Sequence, residues 1–186
     1  MGGSRDGITC IPEDMQAMWE GGETLRFHTC MVLRPDTVGQ HSYGVACVMM
    51  HVLPTAGAHL LRACLKHDMA EAHTGDLPAP SKRALGIREQ FAAYEDDYLK
   101  AVGIEAETLT DWEQWLLKFC DSTDGLRVTI RERAMGNQMI EAAHANFSSY
   151  VRELLKDVPV GVPNYVVVRC RNLEFALNKE WEYVTE

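Results

Sequence analysis

The sequence predicts an all-α protein, and three observations support this fold class. Apolar residues recur at helical spacing through most of the chain, and glycines and prolines fall where that pattern breaks. With 186 residues and 46% hydrophobic content, the chain is long enough to bury one core. No internal repeat or linker divides it. We therefore expect one domain over residues 1–186, with a motif-bearing core at about 25–140 and C-terminal helices over 137–186.

Glycine and proline divide the N-terminal half into predicted elements. These elements cover residues 13–19, 25–31, 41–53 and 58–73. The first is expected to end at Gly21-Gly22, the third at Pro54 and the fourth at Thr74-Gly75. The proline-containing segment over residues 76–80 is then a stiff loop that is suited to the rim of a pocket.

The predicted elements of the C-terminal half are longer. They cover residues 81–102, 109–135, 137–156 and 164–184. The first is a charged amphipathic helix, and the next two form an antiparallel pair about Gly136. A β-branched run at Val166, Val167 and Val168 raises the possibility of a strand in the last element. The large apolar residues that follow it favour a helix.

Composition restricts the possible partners. The chain has 18 basic and 27 acidic residues, a formal net charge of −9 and a pI of about 5.2, which argues against non-specific binding to nucleic acid. No apolar run has the length of a membrane span, and the N-terminal residues lack the apolar segment of a signal peptide. The six cysteines show no CxxC pairing, so we interpret them as reduced core residues. We expect a cytoplasmic protein with no membrane partner.

The most informative motif is the run from Lys66 to Glu71. It sets His67-Asp68 within ten residues of two further carboxylates, Glu71 and Asp76. On a helix, His67 and Glu71 are four residues apart and share a face, while Asp68 lies about 100° around the axis from His67. We therefore expect His67, Asp68 and Glu71 to border one pocket.

Two more polar residues interrupt apolar helical faces. His41 lies on the apolar stripe of the helix predicted over residues 41–53. Asp121 interrupts an apolar face of the helix predicted over residues 109–135, where a carboxylate is rare unless it is paired or bound to a metal. Both are candidates to complete a metal site.

These residues in this order, H…HD…D, resemble the HD-domain metal-dependent phosphohydrolases. The blocks over residues 26–42, 67–82 and 118–137 are similar to the 5′-deoxynucleotidase branch of that superfamily. The short intervals between the motif residues resemble its compact members, which include phage dATP triphosphohydrolases. In the branch, Trp usually follows the arginine and Glu precedes the first histidine, whereas this chain has Phe27 and Gln40 there.

The resemblance implies that His41, His67, Asp68 and Asp121 are the metal ligands. Two imidazoles and two carboxylates form an N,O site that suits one divalent ion of Mn, Co, Fe, Zn or Ni, and suits Mg less well. Asp124 competes with Asp121 for the last ligand position. The spacing to Gly136 fits the family block better from Asp121, so Asp124 is expected to support the site or form part of the pocket wall.

Further roles follow from the same resemblance. Glu71 is expected to help activate a water molecule, and Asp76 is expected near the sugar or phosphate. Since the chain as a whole is acidic, the positive charge for a phosphate must be local. Arg26 and Lys82 lie beside the motifs and are candidate phosphate or sugar contacts. Phe27 is a candidate for stacking on the base.

The predicted function is metal-dependent hydrolysis of the 5′-phosphate ester of a small deoxynucleotide. The resemblance leaves two substrates open: a monophosphate, which would release orthophosphate, and a triphosphate such as dATP, which would release triphosphate. A catalytically silent HD-fold protein that senses a nucleotide or a metal is the alternative. Related nucleotidases are often dimers, so a homo-oligomer is a further expectation.

Overall fold

The computed structural model describes residues 11–184, with side chains described to residue 179, and this range is predominantly helical. Two short strands, β1 (Leu25–Arg26) and β2 (Asp36–Thr37), pair antiparallel with Arg26 opposite Asp36. A 3-10 turn, Gln138–Ile140, precedes α8. The helices are α1 (Glu13–Glu23), α2 (Val38–Val52), α3 (Ala58–Lys66), α4 (Glu71–Thr74), α5 (Ala79–Ala84), α6 (Arg88–Ala101), α7 (Asp111–Ala134), α8 (Glu141–Lys156) and α9 (Asn164–Val184). The predicted all-α fold is confirmed.

The core is built around α2 and α7, which pack against each other along their lengths. Helices α3, α8 and α9 also pack against α7, so this helix is central to the fold. Its apolar face meets the apolar stripe of α2, and burial of both stripes supplies the main hydrophobic driving force. The fully buried side chains at this junction are Val45, Met49, Val52, Leu116, Phe119 and Leu126.

A capping box fixes the start of α2. The Thr37 hydroxyl accepts a hydrogen bond from the Gln40 backbone N–H at 3.3 Å, and the Gln40 side-chain oxygen accepts one from the Thr37 N–H at 3.2 Å. These reciprocal bonds satisfy N–H groups that the first helical turn leaves unpaired. The helix therefore begins three residues earlier than the predicted 41–53, and His41 lies in its first turn.

The predicted helix over residues 58–73 is interrupted, which corrects that prediction. Helix α3 ends at Lys66, and α4 begins only at Glu71. Between them the backbone forms tight turns, in which the Met69 N–H donates to the Lys66 carbonyl and the Glu71 N–H donates to the Asp68 carbonyl. His67 and Asp68 thus lie at a break between two helices.

The packing of α1 against this break explains a second correction. Gly21-Gly22 does not end α1, which continues to Glu23. A Cβ at Gly21 would lie 3.0 Å from the Met69 carbonyl oxygen, so glycine is needed here for close approach of the two backbones. The glycine pair is therefore a packing feature inside the helix.

Other boundaries also differ from the predicted ones. The segment over residues 25–31 begins as β1 and turns at Phe27, whose φ is +57°. The predicted helix over residues 81–102 is divided into α5 and α6 by a turn at residues 85–87. The last element is helical, as favoured over a strand, and α7 and α8 pack against each other across the turn at Gly136.

The cysteines and the apolar character of the helices bear on two further predictions. Cys64, Cys120 and Cys170 are buried, as expected of core residues, whereas Cys30 and Cys47 are half-buried. Cys10 lies outside the described range. Across residues 11–184, no helix combines the length and the apolar character that crossing a bilayer requires.

Candidate active site

Three elements bring four predicted ligands together. Helix α2 supplies His41, the break between α3 and α4 supplies His67 and Asp68, and α7 supplies Asp121. The Nε2 atoms of His41 and His67 lie 3.2 Å apart. His41 Nε2 also lies 3.5 Å from Asp68 Oδ2 and 3.3 Å from Asp121 Oδ1. His67 Nε2 lies 3.3 Å from Asp68 Oδ2.

These separations fit a small cation. Four ligands at about 2.1 Å from a tetrahedral centre lie about 3.4 Å from one another, which is close to the spacing of these atoms. Ligand atoms of His41, His67 and Asp68 all lie within 4.8 Å of one another. Asp121 joins this group through its contact with His41. The four residues could therefore hold one metal ion.

Hydrogen bonds on the far side of each imidazole orient the two rings. His67 Nδ1 lies 2.9 Å from the Cys64 carbonyl oxygen, and His41 Nδ1 lies 2.8 Å from Asp124 Oδ2. Because a carbonyl can only accept a hydrogen bond, His67 carries its proton on Nδ1 and turns a lone pair at Nε2 toward the site. The same tautomer in His41 brings two lone pairs face to face, an arrangement that a cation stabilises.

The site attracts positive charge. Burial and the nearby Arg26 lower the pKa of His41, but Asp121 and Asp124 outweigh them and raise it to about 9. Burial also opposes ionisation of Asp121, yet the charges of Lys118 and His41 hold the pKa of this carboxyl well below its usual range. Lys118 Nζ lies 2.7 Å from Asp121 Oδ2. A divalent ion would satisfy this field in place of a proton.

Two further predicted residues, Glu71 and Asp76, interact electrostatically with each other, and Glu71 also interacts with the predicted ligand Asp68. Glu71 is buried, and its Oε2 atom has no hydrogen-bond partner among the described residues. Burial and the charges of Asp68 and Asp76 raise the pKa of Glu71 to about 9, against the opposing effect of Arg26 and Lys82. Asp76 Oδ2 accepts a hydrogen bond from the Phe27 N–H at 3.2 Å. The carboxyls therefore share one electrostatic environment.

Arg26 projects from β1 toward this acidic group. Its guanidinium is buried and lies 3.6 Å from Asp36 Oδ2, but Nε and Nη1 have no hydrogen-bond partner within the described part of the chain. Burial opposes its charge, whereas Asp68 and Asp121 raise the pKa of Arg26. A buried guanidinium with unpaired N–H groups is suited to an anionic oxygen.

The remaining predicted substrate contacts have partners within the protein. Lys82 Nζ lies 3.4 Å from Glu95 Oε1 and 4.1 Å from the centre of the Phe91 ring. The Phe27 ring is buried and packs against Phe147 at 6.0 Å. Base stacking by Phe27 stays a prediction, and this packing gives its ring a role in the core.

A family model matches the part of the chain that carries most of the motif residues. The model of the HD domain matches residues 23–109, a range that includes Arg26, His41 and His67-Asp68. Residues 23–109 of the chain, slightly less than half of its length, are therefore similar to the HD-domain family. This result confirms the resemblance that the H…HD…D pattern carries.

Two comparisons find similarity to proteins of one virus, cyanophage S-2L. A dATP triphosphohydrolase of cyanophage S-2L is 27% identical over 130 residues, which are 67% of this chain and 73% of the relative. A solved HD phosphohydrolase of cyanophage S-2L, DatZ, has dA and one catalytic Zn²⁺ ion bound. It superposes with a TM-score of 0.67 at 18% identity, over 88% of this chain and 96% of that one. The relatives confirm the prediction of a metal-dependent phosphohydrolase.

The structure differs from the sequence-based picture at His67 and Glu71 and agrees with the supporting position expected of Asp124. His67 and Glu71 do not share the face of one helix, because the helix is broken between them; the break itself brings both to the pocket. Asp124 contacts Nδ1 of His41 and therefore lies behind the ring, opposite the Nε2 atom that faces Asp121. Glu95, which pairs with Lys82, has no signal in the sequence that would have identified it.

Proposed function

We propose that this chain hydrolyses the 5′-phosphate ester of deoxynucleoside triphosphates, releasing a deoxynucleoside and triphosphate, with dATP as the first candidate substrate. The observation that carries the proposal is the cluster of His41, His67 and Asp68, whose facing N and O atoms lie 3.2 to 3.5 Å apart. Asp121 Oδ1 lies 3.3 Å from His41 Nε2, and the charge of the buried Arg26 guanidinium acts on Asp68 and Asp121. The triphosphate is favoured over the monophosphate because one relative is a dATP triphosphohydrolase.

One divalent ion would be held by His41, His67, Asp68 and Asp121. When bound, such an ion acidifies a coordinated water and polarises a phosphoryl oxygen. The donor set suits Zn, Mn, Co, Fe or Ni better than Mg, and the Zn²⁺ in the solved relative makes zinc the first candidate.

Glu71 would accept the proton of the attacking water and later donate it to the leaving oxygen. Its Oε2 atom is buried and unpaired, and the charges of Asp68 and Asp76 contribute to its raised pKa. Once the charge of Asp68 is neutralised, the carboxylate form of Glu71 becomes more favourable and can accept a proton at Oε2 from the attacking water. A group whose pKa lies above neutrality retains that proton until the leaving oxygen needs it.

Arg26 and Lys82 would bind the phosphates. The unpaired Nε and Nη1 atoms of Arg26 can each donate to a phosphate oxygen. Lys82 must exchange Glu95 for a phosphate, which is feasible because its ion pair is 3.4 Å long and partly exposed. Asp76 already orders the Phe27 backbone and would lie beside the sugar or phosphate.

The test is the product profile of metal-free protein supplied with Zn²⁺, Mn²⁺ or Co²⁺ and either dATP or dAMP. Ion-exchange chromatography separates the products. Deoxyadenosine with intact triphosphate from dATP supports the proposal, whereas orthophosphate from dAMP alone replaces it with a 5′-deoxynucleotidase. Silence with every deoxynucleotide would favour a nucleotide or metal sensor. Light scattering on the same preparation tests the predicted homo-oligomer.

A further inference from the structure

We propose that Asp124 positions His41 for metal binding and that Arg127 acts as its counter-charge, so that three residues form a chain leading to the metal site. This inference rests on the proposed function, because it takes His41 as a ligand. It adds two residues, neither of which touches the substrate, to the group that determines metal affinity.

The geometry of Asp124 supports a role through the imidazole. Asp124 is fully buried on α7, and each of its oxygens has a partner. Oδ2 lies 2.8 Å from His41 Nδ1, and Oδ1 lies 2.7 Å from Arg127 Nε. Since Nδ1 and Nε2 point to opposite sides of the ring, Asp124 cannot share a cation with His41 Nε2 in this arrangement. Its influence on the site must pass through the ring.

The two histidines of the site are oriented by different acceptors. His67 donates to the neutral Cys64 carbonyl, whereas His41 faces a carboxylate. A carboxylate behind a metal-binding imidazole fixes the tautomer and makes the distal nitrogen a stronger donor. We therefore expect His41 to contribute more to metal affinity than His67, and to lose more when its partner is changed.

The neighbouring helix is shaped around this carboxylate. Gly44 lies on α2, one turn after His41, against the Asp124 side chain. A Cβ at Gly44 would overlap Asp124 Oδ1 and would lie 2.6 Å from its Cγ. Only glycine leaves room for the carboxylate to reach His41 from α7. The close packing of Asp124 against Gly44 is a second observation, separate from the hydrogen bonds, that fixes the Asp124 carboxylate beside His41.

Arg127 explains how a fully buried carboxylate is accommodated. A buried anion is costly unless a cation and hydrogen bonds compensate it. Arg127 is about half exposed, so its guanidinium reaches the buried Oδ1 atom while it remains partly hydrated. Asp124 therefore keeps its charge available to His41.

The experiment is a titration of metal-free protein with Co²⁺, followed by the visible absorption of the bound ion, which reports affinity and coordination without turnover. Asp124→Asn keeps the shape of the side chain and removes its charge. It should weaken Co²⁺ binding about 10- to 100-fold. Arg127→Gln should have a smaller effect in the same direction, and Arg127→Lys should recover part of it.

The matched control is Glu113→Gln. Glu113 also lies on α7 and also pairs with a histidine, His59, at 2.8 Å, but this pair lies outside the site. Glutamine can retain the capping box at Thr110. The control should bind Co²⁺ as the unmodified protein does. A loss common to both variants would mean that any histidine–carboxylate pair on α7 matters, and would overturn the inference.

The remaining outcomes are distinguishable. If the unmodified protein binds Co²⁺ and hydrolyses dATP while Asp124→Asn binds Co²⁺ with the same affinity and spectrum, the proposed function stands and the positioning role is refuted. If the unmodified protein does not bind Co²⁺, the proposed function fails and this inference fails with it. Should Asp124→Asn not fold, Arg127→Gln decides, because an unchanged affinity in that folded variant would refute the chain.

Discussion

Two carboxylates on α7, the buried Glu132 and the half-buried Asp121, have different environments. Glu132, near the end of the helix, is surrounded by donors: the Leu33 N–H at 2.6 Å, the Arg34 N–H at 3.1 Å and the Asn137 side-chain amide at 2.8 Å. Asp121, three helical turns earlier, pairs through Oδ2 with Lys118 Nζ at 2.7 Å, and its Oδ1 lies 3.3 Å from His41 Nε2 in the predicted metal site. Both oxygens of Glu132 are satisfied by the protein itself, whereas Oδ1 of Asp121 faces the position proposed for a metal ion.

The difference separates a structural group from a candidate functional one. Glu132 fixes the loop that follows β1 onto α7, and both of its oxygens accept hydrogen bonds from that loop. Near the predicted metal site, by contrast, Glu71 Oε2 and two guanidinium nitrogens of Arg26 have no hydrogen-bond partner within the described structure. Such groups cost stability, and they are expected where a ligand completes the hydrogen bonding. Variants of the predicted metal site should therefore change turnover or metal affinity, whereas variants of Glu132 should change stability.

The largest expected effect is on the functional side. Asp68→Asn removes a candidate metal ligand and should abolish metal-dependent turnover. The metal-free variant should fold and should melt at the same temperature as the unmodified protein or slightly lower, because burial and Asp121 oppose the charge of Asp68 but His67, His41 and Arg26 outweigh them and lower its pKa. Turnover and thermal melting are measured on one preparation. Near-normal turnover would remove Asp68 from the site.

The next effect concerns Glu71. Glu71→Ala should lower kcat by about 10²- to 10⁴-fold, the usual range for loss of a general base, while Co²⁺ affinity is retained. Single-turnover kinetics with dATP at saturating metal measure the rate. A parallel loss of Co²⁺ affinity would instead make Glu71 a ligand, and an unchanged rate would leave it a packing role.

The complementary variant lies on the structural side. In Glu132→Gln the amide NH₂ replaces one of the two oxygens, so it faces the N–H donor of either Leu33 or Arg34, and we expect the free energy of unfolding to fall by about 3 kcal/mol. Urea denaturation measures this loss. Turnover and Co²⁺ affinity per folded molecule should not change. If they fall as well, the two carboxylate regions of α7 are coupled, and the distinction drawn above is wrong.

The sequence predicted the functional region better than the structural one. His41 and Asp121 were identifiable as polar residues on apolar stripes, and His67-Asp68 was identifiable as a motif; the family resemblance joined them into one ligand set. The structure brings His41, His67 and Asp68 together and places Asp121 beside His41. The Glu132 network was not identifiable. It joins residues 98 and 99 positions apart in sequence, and one sequence gives no periodic signal for such a contact.

The break at His67 was hidden for a related reason. The run from Ala58 to His73 has good helix formers and no internal glycine or proline, so local propensity favours a continuous helix. The interruption comes from tertiary packing, because α1 approaches the Met69 backbone at Gly21. Propensity is a weak preference that such contacts can override. The motif was thus readable from the sequence, whereas the backbone shape that presents it was not.

Metal addition should give a smaller effect, which depends on the ligand residues and not on Glu132. Co²⁺ at about a hundred times its dissociation constant should raise the free energy of unfolding by about 2.7 kcal/mol, because the ion binds the folded state alone. Glu132→Gln should show the same increment from its lower starting value, and Asp68→Asn should show none. Urea denaturation with and without Co²⁺, after treatment with a chelator, measures the three increments. An increment in Asp68→Asn equal to that of the unmodified protein would place the ion elsewhere.

The smallest expected effect is the pH dependence of the Glu132 contribution. Burial opposes ionisation of Glu132, but the hydrogen bonds from Leu33, Asn137 and Arg34 outweigh it and lower the pKa of this carboxyl. A carboxyl with a lowered pKa in the folded state stabilises the protein above its unfolded-state pKa, about 4.3, and this contribution is lost as the pH falls through the folded-state value. The stability difference between the unmodified protein and Glu132→Gln should therefore be constant from pH 7 to about 5 and should shrink below about pH 4. Urea denaturation of both metal-free proteins at matched pH measures it, and the subtraction removes the other carboxyls, which both proteins share. A difference that persists unchanged to pH 3 would mean that packing, and not the charge of Glu132, holds the loop on α7.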